Sequence, residues 1–245
     1  KKKRGHMRIN QYLSTYTQCS RREADRMITE RRVYINQSPA KLGDIVSEQD
    51  EVFLDGAKII TEHKQVILAY HKPVGITCTT DQAISGNIID EINFPERIFT
   101  IGRLDKDSSG LILLTNDGTV VNPLLRSENE HQKEYVVTLN HPVTPQFLHQ
   151  MRQGVEIYNP VAHKRMTVRV YSIEKIGSHQ VKLILTQGFN RQIRRMASAC
   201  GFVVTKLKRI RFITIGLENL EVGKWRILTD DEINTLLNHS KNENQ

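Results

Sequence analysis

The chain has 245 residues, of which 38% are hydrophobic and 25% charged, a composition typical of a globular protein with one large or two smaller domains. No apolar run approaches the roughly 18 residues that a membrane-spanning helix needs. Cys19, Cys78 and Cys200 lie far apart, and no histidine lies at metal-ligand spacing from them. We therefore predict no disulfide framework, no metal site, no membrane association and a reducing, cytoplasmic environment.

The positive charge is concentrated in two segments. Residues 1–32 hold ten Lys and Arg against three acidic residues, and residues 191–211 hold seven Lys and Arg and no acidic residue. Because the formal net charge of the whole chain is +8, the rest of the chain is net negative. Two basic segments on an otherwise acidic protein predict two contact regions for a polyanion, the alternative being ordinary solvated helix faces.

The first segment predicts a small domain of two helices and a hairpin. Apolar residues from Ile9 to Tyr16 follow helical spacing, and Ser20 with Glu23 forms a capping box at the start of a second helix. Residues 33–36 and 51–55 read as short strands. We expect this domain to cover residues 1–60, followed by a polar linker at 61–65.

The rest of the chain, residues 66–240, predicts a second domain in which strands and helices are mixed. The expected strands are 66–70, 98–101, 111–115, 134–139, 167–173 and 180–186. The expected helices follow Gly118, begin at Thr144-Pro145, span 190–200 and begin at Thr229. Without strict strand–helix alternation, the pattern favours an α+β fold with a mixed, mostly antiparallel sheet over a doubly wound one.

The richest motif is the polar loop Gly102–Gly110, placed between two apolar strands. Asp, Ser and Gly are ordinary turn residues, so a plain connecting loop is one interpretation. Arg103 and Asp105 stand two residues apart in a loop that its flanking strands would hold rigid, which favours a functional loop instead.

This loop resembles the signature of ribosomal pseudouridine synthases, those of the small-subunit type A or the large-subunit type, in which the Asp after Arg-Leu is catalytic. Residues 8–55 resemble the S4 RNA-binding domain that precedes such catalytic domains. Further segments resemble the family in order and spacing: Lys72–Gly75, Lys133–Tyr135, Gly188–Met196 and Lys206–Arg211. The resemblance covers residues 8–235 and implies a small S4-like α/β domain followed by a pseudouridine synthase domain.

The implied reaction breaks the C1′–N1 bond of a uridine, turns the uracil and joins its C5 to C1′. It needs one carboxylate as nucleophile or base and no cofactor, and the resemblance assigns that role to Asp105. Asp107 is expected to shape the loop, because no second carboxylate is needed to activate water.

The resemblance also assigns supporting roles. Arg194 would be the cation that keeps the carboxylate ionised. Tyr135 would stack on the flipped uracil, although a plain core tyrosine is the alternative, and Leu207 would form the apolar wall opposite. Arg103 would fill the gap left by the extruded nucleotide, or form a salt bridge within the loop. Arg191 and Lys72 would also contact the substrate.

Phosphate contacts are expected in both basic segments, where they would position RNA without reading its sequence. The candidates are Arg21, Arg22, Arg31, Arg32, Lys41, Lys206, Lys208 and Arg209.

The substrate expected from the resemblance is one uridine of large-subunit ribosomal RNA, because residues 131–135 and Phe189 are similar to enzymes of that specificity. Small-subunit ribosomal RNA and transfer RNA stay open, as does a non-catalytic RNA-binding ribosome assembly factor on the same fold. An RNA methyltransferase is less consistent with the sequence, which lacks a cofactor loop of closely spaced glycines. Nothing in the sequence demands more than a monomer.

Overall fold

The computed structural model describes residues 6–17, 19–61, 64–126 and 131–239. The chain divides into two compact units, residues 1–65 and 66–245. The start of the N-terminal basic segment, part of the expected linker and the last residues of the polar tail lie outside the described ranges. Among the described residues, no helix is long and apolar enough to cross a membrane.

The first unit packs two helices against short strands. Helix α1 spans Ile9–Tyr16 and α2 spans Arg21–Thr29. The strands are β1 (Met7–Arg8), β2 (Val33–Ile35), β3 (Ser38–Pro39), β4 (Ile45–Val46), β5 (Val52–Leu54) and β6 (Ala57–Lys58). Strands β3-β2-β5-β6 form one antiparallel sheet in that order, and β1 pairs with β4. Both helices and the sheet contribute to one buried apolar core.

The predicted capping box at the start of α2 is confirmed. The Ser20 hydroxyl accepts a hydrogen bond from the Glu23 N–H at 3.2 Å, and the Glu23 carboxylate accepts one from the Ser20 N–H at 2.6 Å. Two backbone donors that the helix itself cannot satisfy are thereby bonded.

The second unit is built on a nine-stranded sheet with β13-β14-β10-β15-β9-β7-β17 in order, while β16 pairs with β15 and β8 with β9. Its strands are β7 (Ile67–Lys72), β8 (Phe99–Ile101), β9 (Ser109–Thr115), β10 (Lys133–Leu139), β13 (Ser172–Lys175), β14 (Gln180–Leu185), β15 (Val204–Phe212), β16 (Ile215–Gly216) and β17 (Trp225–Ile227). A separate ribbon pairs β11 (Val155–Asn159) with β12 (Lys164–Val168). The β15–β9 pair is parallel, and the other pairs recorded for this sheet are antiparallel.

Helices cover both faces of this sheet. They are α3 (Ile88–Ile92), α4 (Val121–Leu125, preceded by a 3₁₀ turn at Gly118–Val120), α5 (Pro145–Gln153), α6 (Gln192–Ala199) and α7 (Asp230–His239). Alternate residues of β7 and β9 enter two different cores: Leu68 and Ile112 pack with α3, α5 and α6, whereas Ile67 and Leu111 pack with α4 and α7. The central strands are therefore buried on both faces.

The α+β class and the mixed, mostly antiparallel sheet are confirmed. The helix starts at Thr144 and Thr229 are confirmed too, because each threonine hydroxyl accepts a backbone N–H three residues on. The single strand expected at 167–173 is wrong: β12 ends in the separate ribbon, and β13 begins afresh at Ser172 as the partner of β14. On α4, the helix expected after Gly118, Leu124 is buried and Leu125 is 39% exposed.

Candidate active site

Asp105 lies in the loop that joins β8 to β9, on the rim of the sheet. A tight turn forms where the Ser108 N–H donates to the Asp105 carbonyl at 3.0 Å. The loop ends at Gly110, which pairs with Arg209 across the parallel β9–β15 contact. A Cβ at Gly110 would lie 2.2 Å from the Arg209 carbonyl oxygen, so only glycine allows the strands to approach this closely. The Asp105 side chain stays 34% exposed.

The loop is supported from beneath by the turn that follows β7. The Lys106 carbonyl accepts the Gly75 N–H at 2.7 Å and the Lys72 ammonium at 3.4 Å. Lys72 is fully buried, and that burial lowers the pKa of its ammonium, an effect that nearby Cys78, Asp107 and Asp105 oppose. Direct substrate contact by Lys72 is therefore wrong for this conformation, because its ammonium is engaged by carbonyls under the loop.

Arginines from the start of α6 face the loop. Arg191 has a left-handed backbone, with φ of 50°, and its two Nη atoms donate to both Asp107 carboxylate oxygens at 2.9 Å. Its Nη1 also lies 3.4 Å from Asp105 Oδ2. The hydrogen bonds from Arg191 lower the pKa of the Asp107 carboxyl. Asp107 is thus held in a two-point fork, consistent with a loop-shaping residue.

Arg194 contacts the loop through Asp107, and its role as the cation that keeps Asp105 ionised stays a prediction. Its guanidinium donates to the Asp107 carbonyl at 3.1 Å and to the Val204 carbonyl at 3.2 Å, and it lies 3.4 Å from Asp107 Oδ2. Among the ion pairs of the described residues, the charge partner of Asp105 is Arg191. Arg194 instead ties α6 to the loop and to the start of β15. The two arginines are about one helical turn apart, so spacing alone could not separate their roles.

Tyr135 and Leu207 lie side by side on the sheet. Tyr135 faces Arg209 and Val137 faces Leu207 across the β10–β15 pair, so Tyr135 and Leu207 are diagonal neighbours on one face. Both are 8% exposed and belong to the same apolar core. Neighbouring strands thus place both side chains in the same wall, and the contact of Leu207 with the substrate stays a prediction.

The basic residues of strand β15 differ in how exposed their side chains are. Lys206 is exposed and Lys208 half-buried. Arg209 is 3% exposed, and its Nε donates to the Leu111 carbonyl at 2.7 Å. Arg209 as a surface phosphate contact is therefore wrong: it joins β15 to β9 from inside the protein.

Lys133 is a half-buried cation that lies in one of the family-like segments but was given no role from the sequence. It stands two residues before Tyr135 on β10, so both side chains share the face covered by α6. Its ammonium donates to the His131 carbonyl at 3.4 Å and lies close to Gly188. Burial, and then the charge of Arg209, lowers the pKa of Lys133 to about 8. The period-two alternation with Tyr135 was the signal that could have identified it.

The remaining arginines differ in whether their charge is already paired. Arg103 is exposed and has no hydrogen-bond or ion-pair partner recorded among the described residues. In the first unit, Arg32 forms a two-point contact with Asp55 at 2.9 and 2.7 Å, so its charge is less available to RNA. The exposed candidates without a recorded ion pair are Arg21, Arg22, Arg31 and Lys41.

The site therefore presents the partly exposed carboxylate of Asp105 on a rigid loop, with an arginine at 3.4 Å and a wall that carries a buried tyrosine. Such a carboxylate can act as a nucleophile or a base toward a substrate that enters from solvent. In the described part of the chain, no group of three His, Cys, Asp or Glu residues could hold a metal ion.

Comparison with known families matches both units. Residues 66–199 match the family described as RNA pseudouridylate synthase, and residues 7–52 match the S4 domain. A crystal structure of a pseudouridylate synthase superposes with a TM-score of 0.67 at 26% identity, covering 94% of this chain and 99% of the other.

Individual relatives extend the match over nearly the whole chain. The dual-specificity RNA pseudouridine synthase RluF of Salmonella typhi is 45% identical over 92% of this chain and 77% of its own length. The protein of the same name from Escherichia coli K12 is 43% identical over 93% of this chain and 77% of its own length. These relatives support an RluF-like enzyme and give no support to the small-subunit type A assignment. The chain belongs to the RNA pseudouridylate synthase family, as an enzyme with an S4 domain ahead of its catalytic domain.

Proposed function

We propose that the enzyme converts a uridine of large-subunit ribosomal RNA to pseudouridine, with Asp105 as the catalytic carboxylate. The observation that carries this proposal is the position of Asp105: its carboxylate is 34% exposed and 3.4 Å from Arg191 on a loop fixed at both ends. The RluF relatives at 43–45% identity support the choice of an RluF-like substrate. Their description as dual-specificity enzymes supports testing a second RNA, and transfer RNA is one of the alternatives that the sequence leaves open.

The chemistry assigned to Asp105 acts on the sugar of the target nucleotide. Its carboxylate either attacks C1′ as a nucleophile or removes a proton at C2′ as a base, and the uracil leaves with the electrons of the C1′–N1 bond. The uracil then turns and C5 bonds to C1′: in the first pathway C5 displaces the Asp105 carboxylate from C1′, and in the second the C2′ carbon takes back its proton. The C5 proton is lost and N1 gains a proton, which leaves Asp105 as it began. Arg191 lies close enough to orient the carboxylate throughout. Arg194 is a positioning residue, because it holds the loop through Asp107.

Access to C1′ requires the target nucleotide to leave its stack. We assign the stacking surface for the extruded uracil to Tyr135, with Leu207 beside it in the same wall. Arg103 is assigned to the space that the uracil vacates, since its guanidinium is exposed and unpaired among the described residues. We assign RNA binding by the S4 domain to Arg21, Arg22, Arg31 and Lys41.

The test is a map of pseudouridines in a large-subunit ribosomal RNA transcript treated with the full-length protein. We expect one new site with the wild type and none with Asp105→Asn, although the variant should still bind the RNA. Asp107→Asn is the matched control, because it removes the neighbouring carboxylate: it should lower the rate without abolishing the product. Retained activity in Asp105→Asn would remove that residue from the mechanism.

A negative map separates the remaining hypotheses. Product on small-subunit ribosomal RNA or transfer RNA alone would change the substrate and keep the mechanism. RNA binding with no product on any of these RNAs would favour a non-catalytic assembly factor. We further propose a cytoplasmic monomer with an S4-like domain at 1–60, a linker at 61–65 and a catalytic domain at 66–240.

A further inference from the structure

A groove outside the Asp105 loop runs between α6 and strand β11. Its volume is about 390 Å³, and it is lined by Glu156, Ile157, Tyr158, Arg191, Arg194, Arg195, Ser198 and Ala199. This volume is near the lower end of the roughly 300–1,000 Å³ typical of small-molecule sites. It suits a single nucleotide rather than a duplex.

The groove is continuous with the catalytic loop. Arg191 and Arg194 line one end of it, and the same two arginines contact Asp107 at 2.9 and 3.4 Å. Arg191 also lies 3.4 Å from Asp105. A chain whose nucleotide is extruded toward Asp105 therefore passes these arginines on its way into the groove.

The wall of the groove is electropositive because its one carboxylate is already paired. Glu156 accepts a hydrogen bond from Arg165, on the neighbouring strand, at 2.9 Å. Arg195 donates only to the Asn190 carbonyl and side-chain oxygen, at 3.0 and 3.1 Å, and has no recorded carboxylate partner within the described ranges. Its full charge is left for an anion.

Tyr158 supplies the aromatic surface of the groove. It is 49% exposed on β11, whereas its neighbours Ile157 and Asn159 are buried, so the strand fixes its backbone and leaves the ring open to solvent. An exposed aromatic ring beside an arginine without a recorded carboxylate partner, Arg195, is a composition typical of surfaces that bind single-stranded RNA, where bases stack and cations contact phosphates.

We infer that this groove binds an unpaired nucleotide adjacent to the target uridine, with its base stacked on Tyr158 and its phosphate on Arg195. The inference rests on the proposed function for the identity of the RNA, but the contacts themselves need only a single strand. Ser198, exposed on the same side of α6, lies within the groove as a hydroxyl donor for the sugar or phosphate.

The test measures binding of a fluorescein-labelled decamer of oligouridylate by the full-length protein through anisotropy. Tyr158→Ala should raise the dissociation constant about tenfold, because stacking on an aromatic side chain is lost, and Tyr158→Phe should stay within about twofold of the wild type. Tyr171→Ala is the matched control: that ring is 65% exposed and lies outside the groove. It should bind like the wild type.

The salt dependence tests the phosphate contact separately. Arg195→Gln should flatten the slope of log K against log salt by about 0.7, the value of one phosphate contact to a single strand. Arg169→Gln removes an equal charge from an exposed side chain that lies outside the groove lining, and it should leave the slope unchanged. Equal dissociation constants for Tyr158→Ala and Tyr171→Ala, or equal slopes for the two arginine variants, would overturn the inference. This binding assay requires no turnover. A map of ribosomal RNA without new pseudouridine would therefore refute the proposed function without contradicting the inferred binding of RNA in the groove.

Discussion

The close approach of β9 and β15 at Gly110 makes one substitution, Gly110→Ala, informative about the whole catalytic loop. A Cβ there would lie 2.2 Å from the Arg209 carbonyl oxygen and 2.6 Å from its nitrogen, and the backbone φ is +111°. The left-handed backbone alone costs an alanine roughly 1–3 kcal/mol. Forcing the strands apart adds roughly 1–3 kcal/mol of overpacking.

Gly201→Ala separates these two contributions. Gly201 also has a positive φ, +82°, but no other atom lies within 4 Å of the position that a Cβ would take there. It should cost only the backbone strain, about 1–2 kcal/mol. For a unit of this size each kcal/mol lowers Tm by about 2–4 °C. We therefore expect a fall of roughly 2–8 °C for Gly201→Ala and about twice that or more for Gly110→Ala.

The assay is thermal unfolding followed by the fluorescence of Trp225, the only tryptophan of the chain. Pseudouridine formation is then measured well below both midpoints. Gly110→Ala should lose most of its activity even where it is folded, because the strand that ends the Asp105 loop is displaced. Equal Tm values for the two variants would refute the argument that Gly110 is required for close strand approach.

Three further predictions concern charge. Burial lowers the pKa of Lys133 to about 8, so the unfolded chain binds more protons than the folded one between about pH 8 and 10, and the free energy of unfolding rises with pH in that range. Lys133→Met should abolish this rise, as measured by urea unfolding. At pH 7 it should increase the free energy of unfolding by up to about 3 kcal/mol. Arg191 lowers the pKa of Asp107, so the ion pair stabilises the folded state above about pH 4, and this stabilisation is lost as the pH falls further. Arg191→Gln should reduce the acid-induced loss of unfolding free energy by about 1 kcal/mol or less. An unchanged dependence of stability on pH would count against the ion pair. The double variant Arg21→Gln and Arg22→Gln should weaken RNA binding and flatten the slope of log K against log salt by about 0.7–0.9 for each phosphate that is no longer bound. An unchanged slope would exclude both arginines as phosphate contacts.

Local chemistry explains which parts of the fold the sequence could predict. The capping boxes at Ser20 and Thr229 are made by residues three apart, so their pattern is readable without knowing the tertiary structure. The prediction of a single strand at 167–173 was wrong because the apolar and polar residues of this segment suit either of two partner strands. Only the packed structure decides that β12 joins the ribbon and β13 joins the main sheet.

The candidate site shows the same division. The loop with Asp105 was identifiable from its residues and their resemblance to a family. Its ion-pair partner was not, because Arg191 and Arg194 are three residues apart in a basic segment, and only the structure shows that Arg191 lies 3.4 Å from Asp105. The burial of Arg209 could not be predicted either, because a strand rich in basic residues is typical of a protein surface and its burial depends on the neighbouring strands. Tyr158 carried no motif, and its exposure comes only from the pairing of β11.

The parallel pairing of β9 with β15 joins residues about a hundred positions apart, Gly110 with Arg209. Parallel contacts of such separation form slowly, because a long stretch of chain must be ordered before they do. During synthesis, Asp105 emerges from the ribosome long before the strand that fixes its loop. The Asp105 loop therefore gains its final support only after β15 has been translated, which delays activity to the last part of synthesis.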